Sequence, residues 1–352
     1  MSDLLLALRT ATSRPHDLTD ADAITLLGAD GSALAELCAI ADSVRAEQAG
    51  EMLTFVVNRN LDTGRVGHAT PTSRALVHDL VVEAAELGAT EVCVQGPLPA
   101  GAPDDGYLDL VSVITDAVPG IHLHAFRPGE VADAARRLGV TPRRFLEKAR
   151  DAGLGSVPGT GAKILDDGVR TVLNGGRPDL PVQQWVELIT TAHEVGLTST
   201  ATLVYGHVET PAQQVAHLRT LAGIARRTRG FTEFIALPFV PPPAALPPGS
   251  RPGPCARESL AVHAVSRLLL IGAIDHVQAA WTKLGMDLAL QVLRGGADDL
   301  GGLLLDGVLD PSAGQEQGLH LTRADVDRAA GALGRQVRQR STRYGDAMAL
   351  RP

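Results

Sequence analysis

Two histidines one residue apart, His122 and His124, offer the most compact chemistry in this chain. In an extended strand they point to the same side. Imidazoles placed that way can begin a zinc or iron site if His207 or a carboxylate supplies a third ligand. With the pair on the third expected strand, no metal is expected. One histidine is expected to hydrogen-bond a ligand while the other packs. His207 and Glu209 stand two residues apart further on and could act as general base or acid. Lys283 could add a positive charge or a Schiff-base amine. Gly159-Thr160-Gly161 precedes a helix expected to start near Ala162. Free amides at such a start can hold a carboxylate or phosphate, or the glycines simply turn the chain.

These side chains need a scaffold, and the chain alternates strand-like and helix-like segments. Strands are expected at 53–58, 91–95, 121–125, 154–157, 199–204, 233–237, 277–280 and 300–304. Helices are expected at 73–87, 107–118, 129–138, 162–173, 181–195, 211–227, 256–270, 287–293 and 321–333. Eight strand–helix units imply an α/β fold of TIM type, a (β/α)8 barrel. Before it, residues 21–48 read as two helices, with Thr19 able to cap one. The expected division is an N-terminal helical extension over 1–50, then the barrel with a C-terminal helix and tail over 51–352. Seven prolines in the fourteen residues 241–254 suggest a lid, a wall or a surface linker.

In such barrels the strand C-termini and the following loops build the site. That places Asn58, Gln95, His124, Thr160, Thr202, Glu233 and Trp281 as substrate-binding candidates. His207, Glu209 and Lys283 are the catalytic candidates. The bland alternative for each is a buried polar layer whose members satisfy one another.

Composition excludes several functions. The 352 residues carry a net charge of -8 and only 3% aromatics, so no nucleic-acid partner is expected. No apolar run is long enough for a membrane span, and residues 1–20 lack a signal-peptide pattern. Three scattered cysteines, Cys38, Cys93 and Cys255, make a disulfide framework unexpected and a cytoplasmic setting the default.

Several segments resemble a known family. They include Thr54-Phe-Val-Val-Asn-Arg-Asn60, Gly88-Ala-Thr-Glu-Val-Cys-Val-Gln-Gly96 and Ile121-His-Leu-His-Ala-Phe126. Asp151-Ala-Gly-Leu-Gly-Ser156, Thr200-Ala-Thr-Leu-Val-Tyr-Gly-His-Val-Glu-Thr210 and Gly295-Gly-Ala-Asp-Asp-Leu-Gly-Gly302 follow in order, then Arg338-Gln-Arg340 with Tyr344-Gly345. From about residue 18 to 345 the chain is similar to the tyrosine-using half of FO synthase, a radical-SAM enzyme of coenzyme F420 biosynthesis. The resemblance implies a radical-SAM-type barrel whose mouth holds tyrosine and a ribityl-diaminouracil. It also implies a Cys-x-x-x-Cys-x-x-Cys motif just after the first strand. Here Asn60 is followed by Leu-Asp-Thr-Gly-Arg-Val-Gly-His-Ala-Thr-Pro-Thr, with no cysteine. Lys163 stands where the family has Glu, and Gly96-Pro97 replaces Gly-Gly. A [4Fe–4S] cluster is therefore not expected, nor ordinary S-adenosylmethionine binding, which the cluster would anchor. The expected ligand is a small polar metabolite: an amino acid, a pyrimidine or a deazaflavin-like compound. The expected activity is a non-radical acid–base, lyase or transferase-like reaction. The alternative is a non-catalytic or regulatory partner of an FO synthase-type protein.

Overall fold

In the computed structural model, residues 3–241, 246–304 and 319–347 are described. Part of the proline-rich stretch expected to be a lid, a wall or a linker, 242–245, lies outside them, as does most of the chain between the strand expected at 300–304 and the helix expected at 321–333.

Ten parallel strands form one curled sheet among the described residues. They are β1 Met52–Val56, β2 Asn58–Asp62, β3 Glu91–Gln95, β4 His122–Ala125, β5 Leu154–Val157, β6 Thr198–Tyr205, β7 Phe231–Pro238, β8 Val277–Ala279, β9 Asp299–Gly302 and β10 Gln336–Gln339. Their order is β10-β1-β9-β8-β7-β6-β5-β4-β3-β2. The expected first strand is thus two strands that part at Val57. β1 bonds to β9 on one side, whereas β2 bonds to β3. Chain continuity through Val57 therefore links the β9 side of the curl to the β3 side. β10 pairs with the remaining side of β1.

Alternation sorts the strand residues between a polar interior and an apolar outer face. In β3, Glu91, Cys93 and Gln95 face inward, and Val92 and Val94 are fully buried on the other face. Helices cover that outer face, as a parallel sheet requires. The N-terminal helices pack on those covering helices. Gly31–Ala49 packs on Ala256–Leu269, and Arg257 donates to the carbonyls of Leu27 and Ala29. Thr19 caps Asp20–Leu27, its hydroxyl accepting from the Asp22 amide at 3.1 Å.

The sequence pattern missed helices Asp3–Ser13 and Pro142–Asp151, the short helices Pro15–Asp17, Thr63–Val66 and Trp281–Leu284, and strand β10. β10 reads Gln-Val-Arg-Gln, with one apolar residue and no alternation to report. The helix expected from Ala162 begins instead at Asp167, capped by Asp166. Before it, the chain is pinned to β6. The Gly159 amide donates to Thr200 Oγ1 at 3.0 Å, and Thr202 Oγ1 donates to the Gly159 carbonyl at 3.1 Å. The Val204 amide donates to the Lys163 carbonyl at 2.7 Å. The Gly159 amide is thus occupied, and no helix start stands behind Gly159-Thr160-Gly161.

Gly159 has no room for a side chain. A Cβ there would meet the Thr200 carbonyl oxygen at 1.9 Å. Gly159→Ala is expected to lower the unfolding free energy by about 2 kcal/mol through overpacking. A urea titration checks this by a fall in midpoint at unchanged slope.

Candidate active site

A cavity of about 160 Å³ opens inside the curl. Asn58, Gln95, His124, Thr160, Glu233 and Trp281 line it, so the structure brings together six of the ten candidates. Each comes from the inward face of a strand or from the loop that follows one. Thr160 Oγ1 donates to Gln95 Oε1 at 3.0 Å. Trp281 Nε1 donates to the Gly302 carbonyl at 3.0 Å, which orients the indole as a wall. Asn58 sits against Gly302, where a Cβ would meet its Oδ1 at 2.1 Å.

The cavity floor is ionic. Arg340, from the segment just after β10, donates to Glu233 Oε2 at 2.8 Å and to both Asp299 oxygens at 2.6 and 2.8 Å. The Tyr344 hydroxyl donates to Glu233 Oε2 at 2.6 Å. Its ring lies under the Arg340 guanidinium at 4.1 Å and stacks on His276 at 3.5 Å. One guanidinium thus faces two carboxylates in a dry interior. Burial pushes the Glu233 carboxyl up to about 7; Arg340 opposes the shift and Asp299 adds to it.

Across the cavity the opposite holds. Burial brings the His124 imidazole down to about 4, despite the nearby Glu91 carboxylate. His124 Nδ1 lies 2.6 Å from Ser156 Oγ, and the same oxygen lies 2.7 Å from His122 Nε2. The two histidines therefore share one serine. Glu91 accepts from Cys93 Sγ at 3.1 Å and from the Thr342 hydroxyl.

Four candidates stand elsewhere. Thr202 is spent on Gly159. His207 is fully buried, its Nε2 donating to the Val204 carbonyl at 2.9 Å. Glu209 accepts from the Gly206 and His207 amides at 2.6 and 2.9 Å and from Gln214 at 2.8 Å. Burial works against its ionisation, yet His207 and the Gly206 amide hold its carboxyl down to about 2. These two residues build the turn after β6, and nothing aims them at the cavity. Lys283 is exposed on the short helix Trp281–Leu284 and does not line the cavity. Lys163 pairs with Asp179 at 2.9 Å. The catalytic roles expected of His207, Glu209 and Lys283 therefore have no geometric support here.

Conversely, Glu91, Gln278, Arg340 and Thr342 line the cavity without having been singled out. Glu91 left a signal: a carboxylate two residues before Cys93 and four before Gln95 shares their face. Arg340 stood only within the C-terminal segment that resembles the family, and Thr342 left no signal, because this stretch has no barrel-strand pattern.

A four-iron cluster needs thiolates gathered in space. Cys38 lies in helix Gly31–Ala49, Cys93 in β3, and Cys255 at the cap of Ala256–Leu269. Among the described residues no group of three or more His, Cys, Asp or Glu side chains could hold a metal. The donor set does not fit a cluster.

Fold and site together define an α/β barrel of TIM type with the architecture of radical-SAM enzymes. The [FeFe]-hydrogenase maturase HydG superposes with a TM-score of 0.71 over 96% of this chain and 76% of its own, at 14% identity. No protein-family model matches the chain. It is 45% identical to FO synthase of Mycobacterium tuberculosis H37Rv over 97% of its length. It spans only 42% of that relative. It is 37% identical to the 5-amino-6-(D-ribitylamino)uracil–L-tyrosine 4-hydroxyphenyl transferase of Methanothermobacter thermautotrophicus, covering 96% of both chains. The chain belongs to the family of that transferase and of the matching part of FO synthase. No helix among the described residues is long and apolar enough to cross a membrane.

The folded protein holds the Glu233 proton up to about pH 7, above the ordinary value of 4.5. Between those values it binds more protons than the unfolded chain. Stability from this group is full below the lower value and is lost as pH rises through the upper. Glu233→Gln cannot titrate. Urea unfolding from pH 5 to 8 is therefore expected to show the wild type losing stability relative to Glu233→Gln as pH rises. A constant difference would refute the raised carboxyl.

Proposed function

We propose that this chain binds a small polar metabolite in the barrel mouth and carries out non-radical acid–base chemistry on it, without a [4Fe–4S] cluster and without S-adenosylmethionine. One observation carries this reading. A carboxyl that retains its proton near neutrality, Glu233, and an imidazole that lacks one, His124, line the same cavity. Environments that push two titratable groups apart mark an acid and a base. His124 Nε2 would accept a proton from the ligand, and Glu233 would give one up. Arg340 and Tyr344 hold the Glu233 carboxyl in place through these steps.

The ligand class follows from the rest of the lining. Asn60, Gln95 and Gln278 offer amides, Thr200 and Thr160 hydroxyls, and Trp281 a flat apolar face. That suits an amino acid, a pyrimidine or a deazaflavin-like ring. The transferase of Methanothermobacter thermautotrophicus is named for 5-amino-6-(D-ribitylamino)uracil and L-tyrosine, so these are the first probes. The biological setting we propose is coenzyme F420 biosynthesis. A second reading, a metabolite-binding partner of FO synthase, draws on the 45% identity to that relative.

Trp281 reports on the cavity, whereas Trp185 is fully buried elsewhere. Fluorescence titration with each probe is expected to show saturable binding of at least one. Turnover by iron-free protein should then fall about 100-fold in His124→Gln, with binding little changed. Binding without turnover, together with a stable complex with FO synthase, would favour the second reading. Stoichiometric iron and sulfide after anaerobic reconstitution would overturn both.

A further inference from the structure

Ser156 is fully buried at the junction of β4 and β5, with a histidine nitrogen on each side of its oxygen. A serine hydroxyl has one proton to donate and lone pairs to accept with. It can therefore donate to one of the two imidazoles while accepting from the other. His124 lines the cavity. His122, two residues earlier on the same face, is only half-buried and is not part of the cavity wall. Its ring lies against Gly155, where a Cβ would meet Cε1 at 2.5 Å, so the glycine leaves the space that the ring fills. Glu91 sits opposite His122 in the register of β3 and β4, and Arg343 and Arg340 are the charged groups of the C-terminal segment near the pair.

We propose that His122, Ser156 and His124 form a proton relay between the cavity and the solvent-facing edge of His122. This inference rests on the acid–base reading of the cavity. His124 takes a proton from the ligand at Nε2 and passes the one on Nδ1 to Ser156 Oγ. The serine hydroxyl gives its own proton to His122 Nε2, and His122 releases one from Nδ1 to water. One proton enters, one leaves, and each group remains neutral. Rotation of the hydroxyl and return transfer of a proton reset the chain. Burial lowers the pKa of both rings, which keeps them in the neutral forms that such a transfer uses.

The relay has a spectroscopic signature that needs neither ligand nor turnover. A serine that donates to one ring and accepts from the other forces both histidines into the same tautomer, both Nδ1–H or both Nε2–H. Nitrogen-15 NMR of the intact, ligand-free protein with labelled histidine reads this directly at neutral pH. Matched tautomers are expected in the wild type and in Ser156→Thr. The match is expected to be lost in Ser156→Ala, with circular dichroism confirming the fold. Opposite tautomers in the wild type would make the serine a dead end and overturn the relay, whether or not the alanine variant folds. Unchanged matched tautomers in a folded Ser156→Ala would overturn it as well. Since ligand-free protein is measured, failure here is distinct from failure of the binding titration, which judges the site itself.

Discussion

The interior of this barrel depends on one guanidinium. Glu233 on β7 and Asp299 on β9 are both buried inside the curl. Two carboxylates alone there would each carry a desolvation cost of several kcal/mol. Arg340 answers both with hydrogen bonds, and its stem comes from the chain beyond β10. The tenth strand therefore does more than extend the sheet. Its pairing with β1 delivers Arg340, Thr342 and Tyr344 to a floor that the eight barrel units cannot finish by themselves.

Burial raises the Glu233 carboxyl, Arg340 opposes that rise and Asp299 adds to it. On the other wall two imidazoles are bridged by a neutral hydroxyl, with Glu91 beside them. The cavity is therefore asymmetric: a proton-rich carboxyl on one side and a proton-poor ring on the other. The contrast with His207 and Glu209 is instructive. Those residues have the same types, but their hydrogen bonds are turned back into their own turn. Glu209 also accepts from the Gln214 side chain, so its oxygens are engaged away from the cavity.

The likeness to solved structures is one of scaffold. The barrel matches a radical-SAM architecture at low identity, and a shared fold does not carry a reaction with it. What a cluster would require is local, namely thiolates close together. Cys38, Cys93 and Cys255 lie on three separate elements.

The barrel was legible in the sequence because burial imposes period two on strands and period 3.6 on helices. β3 and β5 have the expected limits, and most helix ends fall within a few residues of expectation. Asn58, Gln95, His124 and Glu233 were expected at the mouth because strands and their following loops build the site of such a barrel, and all four line the cavity. The break at Val57 was not legible, since Leu53 to Asn58 reads as one strand and only the neighbours that each half pairs with divide it. Nor was β10, whose residues follow no burial rhythm of their own. Local pattern told which residues face inward. Which of them meet across the ring, as Arg340 meets Glu233 from 107 residues away, was decided by sheet closure alone. Electrostatic partnership depends on distance in space, and no spacing along the chain encodes that.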